Sequence, residues 1–306
     1  MGAKSRAIVY LAIAFAISWT AVSFAWLNGA RTSADAGVAN LLFTFGPPMA
    51  ALTCALIFEK GHRIAALGLK FRPNRWWMVA LVLPMAMDAY HMAVMAALGR
   101  ADADTSFADP HKTIAAVFKL RPEALPHGYI GIAGIVILIA FGFSIMFTLT
   151  EEMGWRGYLY QQCRPLGFWR YSLLTGLVWG VWHWPMVIYF GLVFSDHRLA
   201  GLVYYPLETM SLAPIMTLLR DRGRSIWAPG IFHGMANTIG IILFDELGRN
   251  TKPEFLPLLL MLPSLLLVEL FRRIWPERVE RAETPETKQP VRNSILGAGR
   301  KFQGDA

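Results

Sequence analysis

The sequence has little cysteine and little charge for its length. Its 306 residues include two cysteines, Cys54 and Cys163, which lie far apart and argue against a disulfide framework or a cysteine-ligated metal cluster. Charged residues make up 16% of the chain and hydrophobic residues 55%, with a mean hydropathy of +0.40. This composition is more apolar than that of ordinary soluble domains. The apolar runs leave no stretch long enough for a separate soluble domain.

Several motifs of known enzyme sites are also missing. The sequence has no His-Glu-x-x-His zinc helix, no Gly-x-Ser-Gly serine site, no Gly-x-Gly-Asp aspartyl site and no P-loop. Serine, aspartyl and nucleotide-driven chemistry are therefore disfavoured. The net charge of +8 does not indicate a nucleic-acid partner, because the charges lie in short loops between apolar runs.

The sequence does contain a series of membrane-length apolar runs. Roughly 20 apolar residues cross a bilayer, which predicts an all-α membrane protein of about eight transmembrane helices around an intramembrane polar cavity. The predicted spans lie near residues 7–27, 41–58, 76–98, 129–150, 171–190, 199–219, 225–244 and 255–271. Residues 1–275 would form the polytopic membrane domain, with a core at about 130–245. Residues 276–306 mix prolines with charges and are expected to be a disordered cytoplasmic tail.

The basic residues predict an orientation in the lipid bilayer. Most of the 29 Lys and Arg residues fall in segments that share one side of the membrane with the N-terminus. The positive-inside rule then predicts that both termini are inside. With no organelle-targeting motif, we expect an integral protein of the bacterial inner (cytoplasmic) membrane.

An unusual charged cluster follows the fourth apolar run. Glu151 and Glu152 are adjacent, and Arg156 follows four residues after Glu152. If the fourth helix continues over 151–160, Glu152 and Arg156 share a face and can pair, while Glu151 points about 100° away. Glu152 is then the structural carboxylate, and Glu151 is left to face the bundle interior. The alternative is a charged helix end at the membrane interface.

Two further spans each carry a histidine. His183 follows Gly176 and Gly180 on one side of its helix, while His233 follows Gly230 and precedes Asn237 by one turn. Small residues at this spacing let helices approach closely, so we expect tight helix contacts near both histidines and the two imidazoles to meet. His233 and Asn237 share a face and can present two donors to one point. Ionisable groups at membrane depth are costly and usually functional.

Together these motifs resemble the CPBP family, the CAAX-protease and bacteriocin-processing intramembrane proteins that include type II CAAX prenyl endopeptidases. Glu-Glu-x-x-x-Arg, an aromatic-x-x-x-His motif (Trp179 to His183) and His-x-x-x-Asn occur in the family's order over residues 130–245. The family commonly has Phe where this chain has Trp179. We expect that difference to alter the packing beside His183 rather than the chemistry.

The resemblance implies an intramembrane endopeptidase that cleaves a membrane-associated protein or peptide, with a prenylated substrate left open. Glu151 would be the general base on a water that His183 binds and orients. His233 and Asn237 would donate to the oxyanion, and Glu152 with Arg156 would hold the helix of the base. The family is often labelled metalloprotease, and Glu151, His183 and His233 form an acceptable zinc set. We favour glutamate-activated water and leave zinc open.

Two other functions fit parts of the pattern. A non-catalytic membrane scaffold or immunity protein of the same fold would keep these helices without cleaving anything. A proton-coupled transporter is less favoured, although Asp88 and Glu208 lie in predicted spans where relay groups are found.

Overall fold

A computed structural model describes residues 1–97, 129–143, 147–192, 197–239 and 256–276, with single residues at 115, 121, 123 and 125. All regular secondary structure in these ranges is helical. We number the helices α1 to α11, leaving out single turns at Ser33–Ala36 and Arg63–Ala66. They are α1 Ala3–Leu27, α2 Val38–Phe58, α3 Arg75–Ala97, α4 Tyr129–Phe143, α5 Leu149–Glu152, α6 Tyr160–Cys163, α7 Phe168–Trp182, α8 Trp184–Phe190, α9 Arg198–Gly223, α10 Trp227–Ile239 and α11 Leu256–Ile274.

The chain is an all-α membrane protein, as predicted. Each of the eight predicted spans contains a helix. In the described part of the chain, four segments are long and apolar enough to cross a membrane by length and composition: Ala3–Leu27, Val38–Phe58, Phe168–Phe190 and Arg198–Gly223. The count of eight therefore stays a prediction. The predicted tail, apart from its first residue, lies outside the described residues.

The helices pack in pairs that place the site between them. The most extensive contacts join α1 to α2, α7 to α9, α9 to α11, and α10 to both α3 and α4. The contact of α7 with α9 depends on two glycines. A Cβ atom on Gly176 would lie 2.6 Å from the Cα of Met210, and one on Gly180 would lie 2.4 Å from the Cα of Pro206. Only a residue without a side chain fits there, because real Cβ atoms do not approach backbone this closely.

The helix that carries His183 is broken at that residue. Helix α7 ends at Trp182, and α8 begins at Trp184 with Pro185 in its first turn. Proline lacks the N–H that a continuing helix needs, and it disfavours an α conformation in the residue before it. The N–H of His183 turns back to the carbonyl of Gly180 at 3.1 Å, a tighter turn than that of an α-helix. His183 therefore lies at a kink rather than in the middle of a straight helix.

Candidate active site

The segment after Glu152 is not the regular α-helix that the sequence predicts. Helix α5 continues as a π-helix over Met153–Leu159 before α6 begins. Two glycines press this π segment against its neighbours. A Cβ on Gly154 would lie 2.8 Å from the Cβ of Pro47, and one on Gly157 would lie 2.4 Å from the carbonyl oxygen of Leu67. Long π-helices are rare and are often found at functional sites.

Glu152 is the most constrained carboxylate of the site. Its Oε1 accepts a hydrogen bond from Arg156 Nη1 at 3.1 Å, so the predicted pair is present despite the π-helical turn. The same oxygen lies 3.0 Å from His233 Nδ1 on α10. Glu152 and Arg156 are fully buried. Glu152 is thus held to the π segment by Arg156 and to α10 by His233.

The contact with Glu152 determines how His233 presents its ring. Because a carboxylate only accepts hydrogen bonds, Nδ1 of His233 carries the proton that is donated to Glu152. Its Nε2 is left for other partners. Residue spacing predicted His233 beside Asn237 and gave no sign of Glu152, which lies 81 residues away in the chain.

Glu151 has a different environment from its neighbour. It is 9% exposed, and its Oε2 has no hydrogen-bond partner among the described residues. His233, Glu152, Arg156 and the indole nitrogen of Trp179 surround the carboxylate. The two carboxylates therefore differ in their surroundings, because Oε1 of Glu152 holds two donors whereas Oε2 of Glu151 holds none among the described residues.

His183 is held by its own helix and by aromatic rings. Its Nδ1 lies 2.9 Å from the carbonyl oxygen of Trp179, so Nδ1 carries a proton, and in the neutral imidazole Nε2 is then the acceptor. The imidazole centroid lies 4.6 Å from the ring of Trp182 and 4.7 Å from the ring of Tyr205 on α9. These contacts fix the direction of the ring, which a water-orienting histidine needs.

The predicted close helix contacts are present near both histidines. At these glycines, however, the helices of His183 and His233 pack against other elements and not against one another. Gly176 and Gly180 face α9, and a Cβ on Gly230 would lie 3.0 Å from a methyl carbon of Leu149. The two imidazoles lie within electrostatic reach of each other and share a neighbour. The ring centroid of Trp179 is 5.9 Å from that of His183 and 5.1 Å from that of His233.

Asn237 lies one turn beyond His233 on α10, as the spacing predicts. The two side chains differ in environment, because His233 is buried and Asn237 is exposed. The structure thus brings together five of the six predicted site residues, and Asn237 stands at the edge of the group.

The described residues do not fit a zinc ion. No three His, Cys, Asp or Glu side chains in the described ranges lie close enough together to hold a metal. The Glu151, His183 and His233 set left open by the sequence is therefore not assembled as a coordination site.

Comparison with known proteins shows which protein family the region of the site resembles. Residues 132–239, which include all six predicted site residues, match the family model described as type II CAAX prenyl endopeptidase Rce1-like. This part of the chain is similar to that family, which agrees with the family resemblance seen in the sequence. A curated relative is CAAX prenyl protease 2 of Methanococcus maripaludis, which is 28% identical over 155 aligned residues. The match covers 41% of this chain and 55% of the relative, so the chain spans about half the length of that relative.

Proposed function

We propose that this protein is an intramembrane endopeptidase that hydrolyses a peptide bond of a membrane-associated protein with water activated by Glu151. The observation that carries the proposal is a pair of adjacent buried carboxylates that differ in their hydrogen bonding. Oε1 of Glu152 holds two donors, from Arg156 and His233. Glu151 lies near His233, and its Oε2 has no hydrogen-bond partner among the described residues. Acid–base sites typically place two carboxyl groups in different environments, so that each has its own role.

Glu151 acts as the general base. It takes a proton from water as the water oxygen attacks the scissile carbonyl carbon, and it later returns that proton to the leaving amine. The peptide C–N bond breaks, and a carboxylic acid and an amine are released. Glu152 is unsuited to this role, because its Oε1 already holds two donors and it is fully buried.

His183 orients the attacking water. Its Nδ1–H is committed to the carbonyl of Trp179, so Nε2 accepts a hydrogen bond from the water and aims its oxygen lone pair at the substrate. The kink at Pro185 places this imidazole at the junction of α7 and α8.

His233 stabilises the oxyanion. In its doubly protonated form the ring keeps the Nδ1 contact with Glu152 and donates its Nε2–H to the tetrahedral oxygen. Asn237, which the spacing places one turn away and which is exposed, is the second proposed donor. Arg156 keeps Glu152 in place and so acts through it.

The substrate is proposed to be a membrane-associated protein or peptide reached from the cytoplasmic side. The relative's name includes a prenyl protease activity, and a prenylated substrate is therefore the first class to test. The orientation with both termini inside and the bacterial inner membrane are part of this proposal.

The test is N-terminal peptide mapping of membrane proteins from cells that express the wild type or Glu151→Ala. Cleavage products that disappear in the variant would support proteolysis and identify the substrate. Glu208→Ala is the matched control, since it removes another carboxylate with a buried unpartnered oxygen, on α9, and should leave the map unchanged. Identical maps for wild type and Glu151→Ala at equal expression would refute the proposal and favour a scaffold.

A further inference from the structure

The indole of Trp179 lies at the centre of the site, in a position that the mechanism above does not use. Its side chain is 5% exposed. The guanidinium carbon of Arg156 is 4.9 Å from its ring centroid, and His183 and His233 approach the ring edge-on. One aromatic ring therefore contacts residues from three separate parts of the chain.

The nitrogen of this ring is a buried donor without an ordinary partner. Trp179 Nε1 makes no hydrogen bond of normal geometry within the described chain, and Glu151 Oε2 is likewise unpartnered. The two groups nevertheless face each other, because the indole N–H is the side-chain donor beside the Glu151 carboxylate. A buried donor and a buried acceptor left unpaired at close range cost free energy, which a small movement of either would recover.

The other groups around Glu151 act on it electrostatically. Arg156 Nη1 and His233 Nδ1 both point to Glu152 Oε1, and Tyr10 of α1 lies within electrostatic reach of Glu151. Arg156 has two further N–H groups without partners in the described structure, but the indole N–H of Trp179 is the side-chain group in hydrogen-bonding position beside the carboxylate. The indole N–H is therefore placed to fix the orientation of the base.

We propose that the indole N–H of Trp179 hydrogen-bonds to the Glu151 carboxylate when substrate fills the site, and that it holds this base toward the attacking water. Trp179 is then a positioning residue. Catalytic hydrogen bonds are often long in the free enzyme and tighten in the substrate complex, which is consistent with the observed geometry. The proposed role rests on the proposed function.

A phenyl ring at this position would keep the contacts with Arg156 and the two histidines but would lose the N–H. The sequence comparison with the CPBP family predicted that Trp in place of Phe changes packing only. The position of Nε1 beside Glu151 indicates that it also changes how the base is held.

The first experiment separates the ring from its N–H. Trp179→Phe is compared with a Trp179 analogue in which sulfur replaces the indole nitrogen, which keeps the ring shape. We expect both to lower kcat by about 10- to 100-fold, the range for a hydrogen bond to a charged group, with KM changed by less than about twofold. Trp227→Phe is the matched control, because its Nε1 is also buried and unpartnered but its ring partners are Phe71 and Trp77. Full kcat in the sulfur analogue would overturn the proposed role.

The second experiment tests the hydrogen bond without using activity. The indole ¹⁵N–¹H signals of the 11 tryptophans are recorded in lipid nanodiscs, and that of Trp179 is assigned by its loss in Trp179→Phe. We expect Glu151→Ala to move this signal and Glu208→Ala to leave it in place. If the chemical shifts of the Trp179 indole signal are the same in Glu151→Ala as in the wild type, the inference is overturned even if the protein cleaves its substrate. If the wild type cleaves nothing, the proposed protease function and the kinetic role of Trp179 fail, while the signal still decides whether the contact exists.

Discussion

Breaking the contacts of Glu152 should destabilise the protein far more than breaking a comparable pair elsewhere. Arg156 Nε and Nη2 have no partners within the described structure, so Glu152 is the carboxylate that its guanidinium hydrogen-bonds there. Removing one member of a fully buried pair typically costs about 3–5 kcal/mol, because the other charge stays buried and unpaired. We therefore expect Glu152→Gln and Arg156→Met each to lower the free energy of unfolding by about 3–5 kcal/mol.

Unfolding in mixed micelles, followed by tryptophan fluorescence, provides the measurement. The matched control is Glu59→Gln, which removes the partner of Arg6 at 2.9 Å in a pair whose side chains are 18% and 27% exposed. Exposed pairs contribute about 0–1 kcal/mol, so the control should change little. The double variant Glu152→Met with Arg156→Met should recover part of the loss, since neither charge of the pair is then stranded, while His233 still loses its acceptor. Single variants that cost less than about 1 kcal/mol would show that the pair is solvated and would refute the argument.

Three further predictions follow from the site and its packing. Glu151→Gln should abolish cleavage while leaving the free energy of unfolding unchanged or higher, since it neutralises a buried carboxylate with an unpartnered oxygen. Denaturant unfolding and a cleavage assay on one preparation check both effects. A loss of stability that accompanies the loss of cleavage would contradict the prediction. Gly180→Ala should cost about 1–3 kcal/mol by overpacking against Pro206, whereas Gly134→Ala, which meets no atom within 4 Å, should be neutral or stabilising in the same unfolding assay. Chelation with EDTA should leave the cleavage rate unchanged if Glu151 alone activates the water, and a loss that zinc restores would refute that mechanism.

The features that sequence predicted best are the local ones. Glu152 pairs with Arg156 because four residues span one turn, and that spacing tolerates the π-helical distortion. The partner lies within a few residues, so periodicity is enough to identify it.

The features that sequence missed depend on which helices become neighbours. Periodicity predicts the face on which Gly176 and Gly180 lie, but the helix that meets this face is α9 rather than the one that carries His233. The contact of His233 with Glu152 is likewise a tertiary one. The π-helix gave no recognisable pattern, although Gly154 and Gly157 mark the places where it is pressed against other segments.

The two partners of Glu152 also differ in when they become available. Arg156 follows it by four residues and His233 by 81. At about 5–20 residues per second, His233 is synthesised roughly 4 to 16 seconds after Glu152. During that interval the carboxylate can enter the membrane already neutralised by Arg156. The imidazole of His233 binds last. The newly made chain therefore inserts Glu152 and Arg156 into the bilayer as a neutral pair, before the complete site has formed.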